Sequence, residues 1–119
     1  MKTTKELKPN LAPIYAAALY PSLCTIFHNH GYALAAHGSL ARDLDLIAIP
    51  WVVIASNPSD VIDAICEEFA VRRVEGDPKS HPHGRVVYTL ICGFGDCTID
   101  LGFMPRLFAP EAMEEKGPK

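Results

Sequence analysis

Three aspartates and a glycine-serine pair are the residues whose types and spacing can do chemistry in this chain. Asp43 and Asp45 flank Leu44 at the start of a short aliphatic run, and Asp100 sits between Ile99 and Leu101 in another. In a strand, side chains alternate between faces, so Asp43 and Asp45 point one way while Leu44 and Leu46 point the other. Two like charges side by side repel and are costly to bury, which makes a divalent cation their natural third party. Asp100 shares a face with Thr98 and Gly102, and an acid in the middle of a core strand needs a partner. That partner is either a cation shared with Asp43 and Asp45 or an ion pair with Arg85 or Arg106. Arg42, just before the acidic pair, either clamps a phosphate or neutralises Asp43.

The elements that must hold these groups are legible nearby. Residues 32–37 read as a strand ending at Gly38-Ser39, where glycine suits a sharp turn or a close approach to a ligand. Residues 44–49 read as a buried strand that Pro50 closes. Asn57-Pro58-Ser59-Asp60 starts a helix, with Asn57 as its cap, and Val61, Ile62, Ile65, Cys66 and Phe69 recur at helical spacing. Residues 85–92 and 97–103 form a hairpin across Gly93-Phe94-Gly95-Asp96. Upstream, a helix is expected to run through residues 22–30 with Pro21 in its first turn and Gly31 as its stop, and an earlier helical piece over 11–19 makes Pro21 a kink or break. Residues 71–75 add a short strand, 76–84 read as a loop, 104–112 as a last short helix or turn, and 51–55 as an apolar sheet edge or cleft wall. The expectation is an α/β (α+β) domain over residues 11–113, between flexible ends at 1–10 and 114–119. It has a small mixed or antiparallel sheet with helices packed on one face.

Other candidate groups carry two readings each. His37 touches a phosphate or is a structural residue at a strand end. Trp51 stacks on a nucleobase or packs in the core. His28 and His30 are too close in sequence to share a helix face as a metal pair, and otherwise decorate a helix end. His81 and His83 bind a metal or phosphate, or belong to an exposed polar loop. Cys92 and Cys97 form a metal clip with a histidine or are two buried strand residues, and all four cysteines read as reduced.

Composition narrows the class. The chain has 119 residues, 49% of them hydrophobic and 21% charged, which fits one globular domain and not a disordered chain. A net charge of −3 argues against a nucleic-acid-gripping surface, although Arg72, Arg73, Lys79 and Arg85 form a local basic group. No apolar run spans a bilayer and no signal-peptide core follows the first residues, so the expected compartment is the cytoplasm.

The stretch from Gly38-Ser39 through Asp43-Leu44-Asp45-Leu46, with Asp100 on a later strand, resembles the signature of the nucleotidyltransferase superfamily typified by DNA polymerase beta. The resemblance implies a nucleotidyltransferase-like fold that moves a nucleoside monophosphate from a nucleoside triphosphate to an acceptor. It implies that Asp43, Asp45 and Asp100 hold magnesium, with manganese able to substitute, that Gly38, Ser39 and Arg42 meet the triphosphate, and that Asp100 helps activate the attacking hydroxyl. Only Leu40, Ala41 and Arg42 separate Ser39 from Asp43, which leaves space for a tight turn where the family often has a short helix. Two other functions fit the same residues. One is a catalytically silent domain of this fold that binds a nucleotide or a protein partner. The other is a small interaction protein whose acids are paired with Arg42, Arg85 and Arg106. The acceptor is not readable, and a homodimer or a helical partner protein is expected to complete the cleft.

Overall fold

Alternation of apolar and polar residues gives each strand one face to bury, and two helices bury it. The structure, a computed structural model, describes residues 10–76 and 78–110. In chain order the elements are α1 (Ala12–Asn29), β1 (Tyr32–His37), β2 (Leu44–Pro50), α2 (Pro58–Glu68), β3 (Val71–Arg73), β4 (Lys79–Ser80), β5 (Val86–Cys92) and β6 (Cys97–Phe103). The sheet runs in the order β1-β2-β6-β5-β3, with β4 also paired to β5. It is mixed: β2 and β6 are parallel, and the other pairs are antiparallel. This is the α+β architecture expected from the sequence, with six strands among the described residues.

Leu44, Leu46 and Ala48 of β2, Ile99, Leu101 and Phe103 of β6, and Tyr88, Leu90 and Cys92 of β5 turn towards the helices and are buried. Leu23 and Phe27 of α1 and Val61, Ile62 and Ile65 of α2 meet them. Phe103 is the centre of an aromatic cluster. Its ring stacks on Phe27 at 5.8 Å and meets Tyr32 and Tyr88 edge-on at 5.2 and 5.8 Å. Such pairs add roughly 0.5–1.5 kcal/mol each beyond the area they bury.

Several expectations are corrected. The first helix is one element from Ala12 to Asn29 and passes through Pro21, where two pieces were expected. Proline removes the amide that would bond the Ala17 carbonyl, but both residues are exposed, so water can serve that carbonyl, while Leu23 and Phe27 anchor the turns that follow. Residues 51–55 form neither a strand nor a cleft wall. Trp51 is 54% exposed and lies flat on the His28 ring at 4.8 Å, outside the core. The segment is a loop pinned at its end, where the Tyr32 hydroxyl donates to the Ser56 carbonyl (2.6 Å) and Ser56 Oγ is 2.9 Å from His30 Nδ1. Within the expected loop 76–84, Lys79 and Ser80 pair with Val87 and Val86 as β4, and a tight turn over Pro82–Gly84 returns the chain.

Asn10, the last residue of the end expected to be flexible, donates from Nδ2 to the Leu40 carbonyl (2.6 Å) and accepts at Oδ1 from Ala12 N. The rest of that end, residues 1–9, and the segment 114–119 lie outside the described residues. Residues 104–109 leave β6 as irregular chain where a last short helix or turn was expected over 104–112, and residues 111 and 112 lie outside the described residues.

Candidate functional site

The open face of the sheet, opposite the helices, carries the polar residues. Strand register decides which of them meet. His37 of β1 is opposite Asp45 of β2, Asp45 is level with Asp100 of β6, and Asp100 is opposite Thr89 of β5. Residues level with one another on neighbouring strands point to the same face, so these four side chains form one row across four strands. Asp43 precedes β2 by one residue and joins the row through its charge.

The row is electrostatically strained. Burial pushes the Asp100 carboxyl above the usual carboxylate range, and the charges of Asp43 and Asp45 and a hydrogen bond with Asp45 push it further. The Thr89 hydroxyl, 3.5 Å from Asp100 Oδ1, pulls in the other direction. Among the described residues the one ion pair is between Arg73 and Asp63, at 2.6 Å, so neither Arg42 nor Arg85 is the described counter-charge of an acid in the row. Arg73 also bonds Ser59 and lies over the Tyr88 ring.

The glycine-serine turn lies against this row. Gly38 has φ +80°, and a Cβ built on it would sit 2.5 Å from Asp45 Oδ2, so glycine is required both by the backbone and by the closeness of the carboxylate. Ser39 Oγ accepts from Ala41 N (3.1 Å), closing the turn locally, and Leu40 is left-handed at φ 59°. No helix intervenes before Asp43, as the short spacing implied. Arg42 is exposed and lies outside the cleft described next.

A cleft of about 410 Å³ opens over the row. His37, Asp45 and Asp100 line one side, Thr89 and Val87 its floor. Its other side comes from residues expected in a loop or in a general basic group: Lys79, His81 and Arg85. Their alternation along β4 and the start of β5 was present in the sequence, but a two-residue strand gives too short a period to recognise. Of the six residues expected to form the site, Asp45 and Asp100 line the cleft, Gly38 and Asp43 adjoin them, and Ser39 and Arg42 do not line it.

The donors are of the type magnesium takes: carboxylate oxygens on one face with an unfavourable charge to neutralise. As placed, however, no three His, Cys, Asp or Glu side chains among the described residues gather into a group that would hold a metal ion. The fit is therefore that of a pair, Asp45 with Asp100, and not of a closed triad.

Comparisons with protein-family models, with curated proteins and with solved structures give no match.

The remaining candidates have structural uses. Cys92 and Cys97 face each other across the β5–β6 hairpin as buried thiols, with Cys92 pushed up to about 11 by burial, so the metal-clip reading is not supported. His28 stacks on Trp51 and His30 meets Ser56. His83 is left-handed at φ 66° in the tight turn, and only its neighbour His81 reaches the cleft. No described helix is long and apolar enough to cross a membrane.

Proposed function

We propose that this domain is a metal-dependent nucleotidyltransferase that moves a nucleoside monophosphate from a nucleoside triphosphate to an acceptor. The observation that carries the reading is the level pairing of Asp45 and Asp100 on the open face, with the Gly38 backbone against the Asp45 carboxylate. Magnesium bound by these carboxylates, or manganese in its place, would supply the positive charge that a triphosphate needs. Gly38 keeps the turn free of a side chain where phosphate oxygens approach, and Asp45 and Asp43 set the negative field that selects a cation. Asp100 binds a proton more tightly than an ordinary carboxylate, which suits it to take the proton of an acceptor hydroxyl. A homodimer or a helical partner protein remains part of this proposal as a covering for the open face, and the cytoplasm as its compartment.

The experiment is calorimetric titration of magnesium-ATP and magnesium-GTP into the wild-type protein and Asp45→Asn. Metal-dependent binding that the substitution abolishes is expected; no binding by either protein overturns the reading. Pyrophosphate release with a panel of acceptors, compared with Asp43→Asn, then tests turnover. A second reading is favoured by the absence of a described three-ligand cluster and by the tight turn: a catalytically silent module that binds a nucleotide or a protein partner. It expects the same binding with no pyrophosphate released.

A further inference from the structure

The cleft is charged in opposite senses on its two sides, and among the described residues no ion pair joins them. The carboxylate side is Asp45 and Asp100. The other side is built by the β4–β5 hairpin, in which Lys79 pairs with Val87, and His81 N donates to the Arg85 carbonyl at 2.8 Å. Residues two apart in a strand share a face, so this register puts Lys79, His81, Arg85 and Val87 on the open face together.

Two glycines fit the cationic side to its place. A Cβ on Gly102 would lie 2.9 Å from Arg85 Nη1, so the bare backbone lets the guanidinium lie down on the sheet beside Asp100's strand. Gly84, left-handed at φ +77°, packs its turn against Pro105, with Cγ 2.8 Å from the position a Cβ would take. Among the described residues no side-chain hydrogen bond or ion pair engages Lys79, His81 or Arg85. A guanidinium and an ammonium with their donors unused, at the wall of a cleft, suit an oxyanion.

We infer that Lys79, His81 and Arg85 form an anion subsite, and that the acceptor is a small molecule carrying a phosphate monoester whose hydroxyl end reaches Asp100. The inference rests on the nucleotidyltransferase reading for the role of acceptor, but the anion subsite stands on the hairpin geometry alone. The Gly38 turn and Asp45 lie towards the β1 side of the sheet, and the cations lie towards β5 and β4. A nucleotide on the first side leaves the second for the acceptor. A cleft of about 410 Å³ is the size of a small-molecule site, and a chain of net charge −3 is poorly suited to gripping a polynucleotide. The same subsite disfavours a polycationic acceptor by direct repulsion.

The test is titration of the full chain, followed by amide chemical shifts, with inorganic phosphate, then glycerol 3-phosphate, then a 5′-phosphorylated oligonucleotide, without metal or nucleotide. Expected are saturable shifts at Lys79, His81 and Arg85 for the first two probes, weakened about tenfold or more by Arg85→Gln and separately by Lys79→Gln, the size of one lost charge-assisted interaction. Arg72→Gln, on β3 towards the other end of β5 and already bonded to the Gly93 carbonyl, should leave binding unchanged. Shifts centred on Gly38 and Ser39, binding insensitive to both variants, no saturation, or binding of the oligonucleotide alone would each overturn the inference. If phosphate binds as expected but wild-type protein takes up no magnesium nucleotide, the nucleotidyltransferase reading fails and the anion subsite survives. If the nucleotide binds and phosphate does not, the reverse holds.

Discussion

Gly38 and Asp100 are the residues at which conformation and charge meet most directly. Gly38 has no room for a side chain, because the Asp45 carboxylate occupies it and because φ is +80°. Gly38→Ala should lower stability by about 1–2 kcal/mol for the left-handed backbone alone, and displace Asp45 as well. Urea unfolding measures the first effect, and loss of magnesium-nucleotide binding measures the second. Asp100 makes a prediction of opposite sign. Its carboxyl is raised in the folded protein, first by burial and then by Asp43 and Asp45, so the folded state holds the proton more tightly than the unfolded chain. Ionising it therefore costs stability, and the cost accrues as pH rises from the ordinary carboxylate range through the raised folded value. Asp100→Asn should stabilise the domain at neutral pH and have no such effect in acid below both values. Unfolding midpoints measured across that range check this, and a benefit that does not depend on pH would count against it. Added magnesium should raise the midpoint of the wild-type protein and not that of the variant.

At the scale of elements, the helix starting at Pro58 shows how completely a local signal can act. Asn57 Oδ1 accepts from Ser59 N at 2.9 Å, Pro58 occupies the first turn, and Asp60 lies near the positive end of the helix. Asn57→Ala should cost about 1 kcal/mol, read as a lower urea midpoint with an unchanged slope. The β5–β6 hairpin is equally local: its four-residue turn, with Gly93 and Gly95 both left-handed, joins strands whose alternation is plain in the sequence. The first helix was less legible because proline signals a break, and only the burial of Leu23 and Phe27 against the sheet keeps the element continuous across Pro21. The core-packing reading of Trp51 fails for a related reason. A large apolar side chain has a strong tendency to be buried, but a ring stacked on His28 at the surface satisfies part of that tendency without entering the core.

For the molecule as a whole, stability converges on one layer of side chains between the sheet and its two helices, where Phe103 stacks on Phe27 of α1 and meets Tyr32 and Tyr88 of the sheet. Phe103→Ala should cost about 3–5 kcal/mol, a large part of the 5–15 kcal/mol typical of a domain, and thermal unfolding should show a greatly lowered midpoint. An equivalent change at Phe94, which is fully exposed in the hairpin turn, should shift the midpoint little. By itself the sequence determined what short range can determine: the strands at residues 32–37, 44–49, 85–92 and 97–103, the capped helix, the Gly38 turn, and the fact that Asp43, Asp45 and Asp100 oppose the apolar faces of their strands. Those features follow from side-chain alternation, helical periodicity and backbone preference, all of which act over a few residues. Only the tertiary structure decided that β2 and β6 are parallel neighbours with Asp45 level with Asp100, and that a two-residue strand carries Lys79 and His81 to the opposite wall of the cleft. Strand adjacency and register are set by burying the apolar faces of β2, β5 and β6 together beneath α1 and α2, a non-local condition that no stretch of sequence contains.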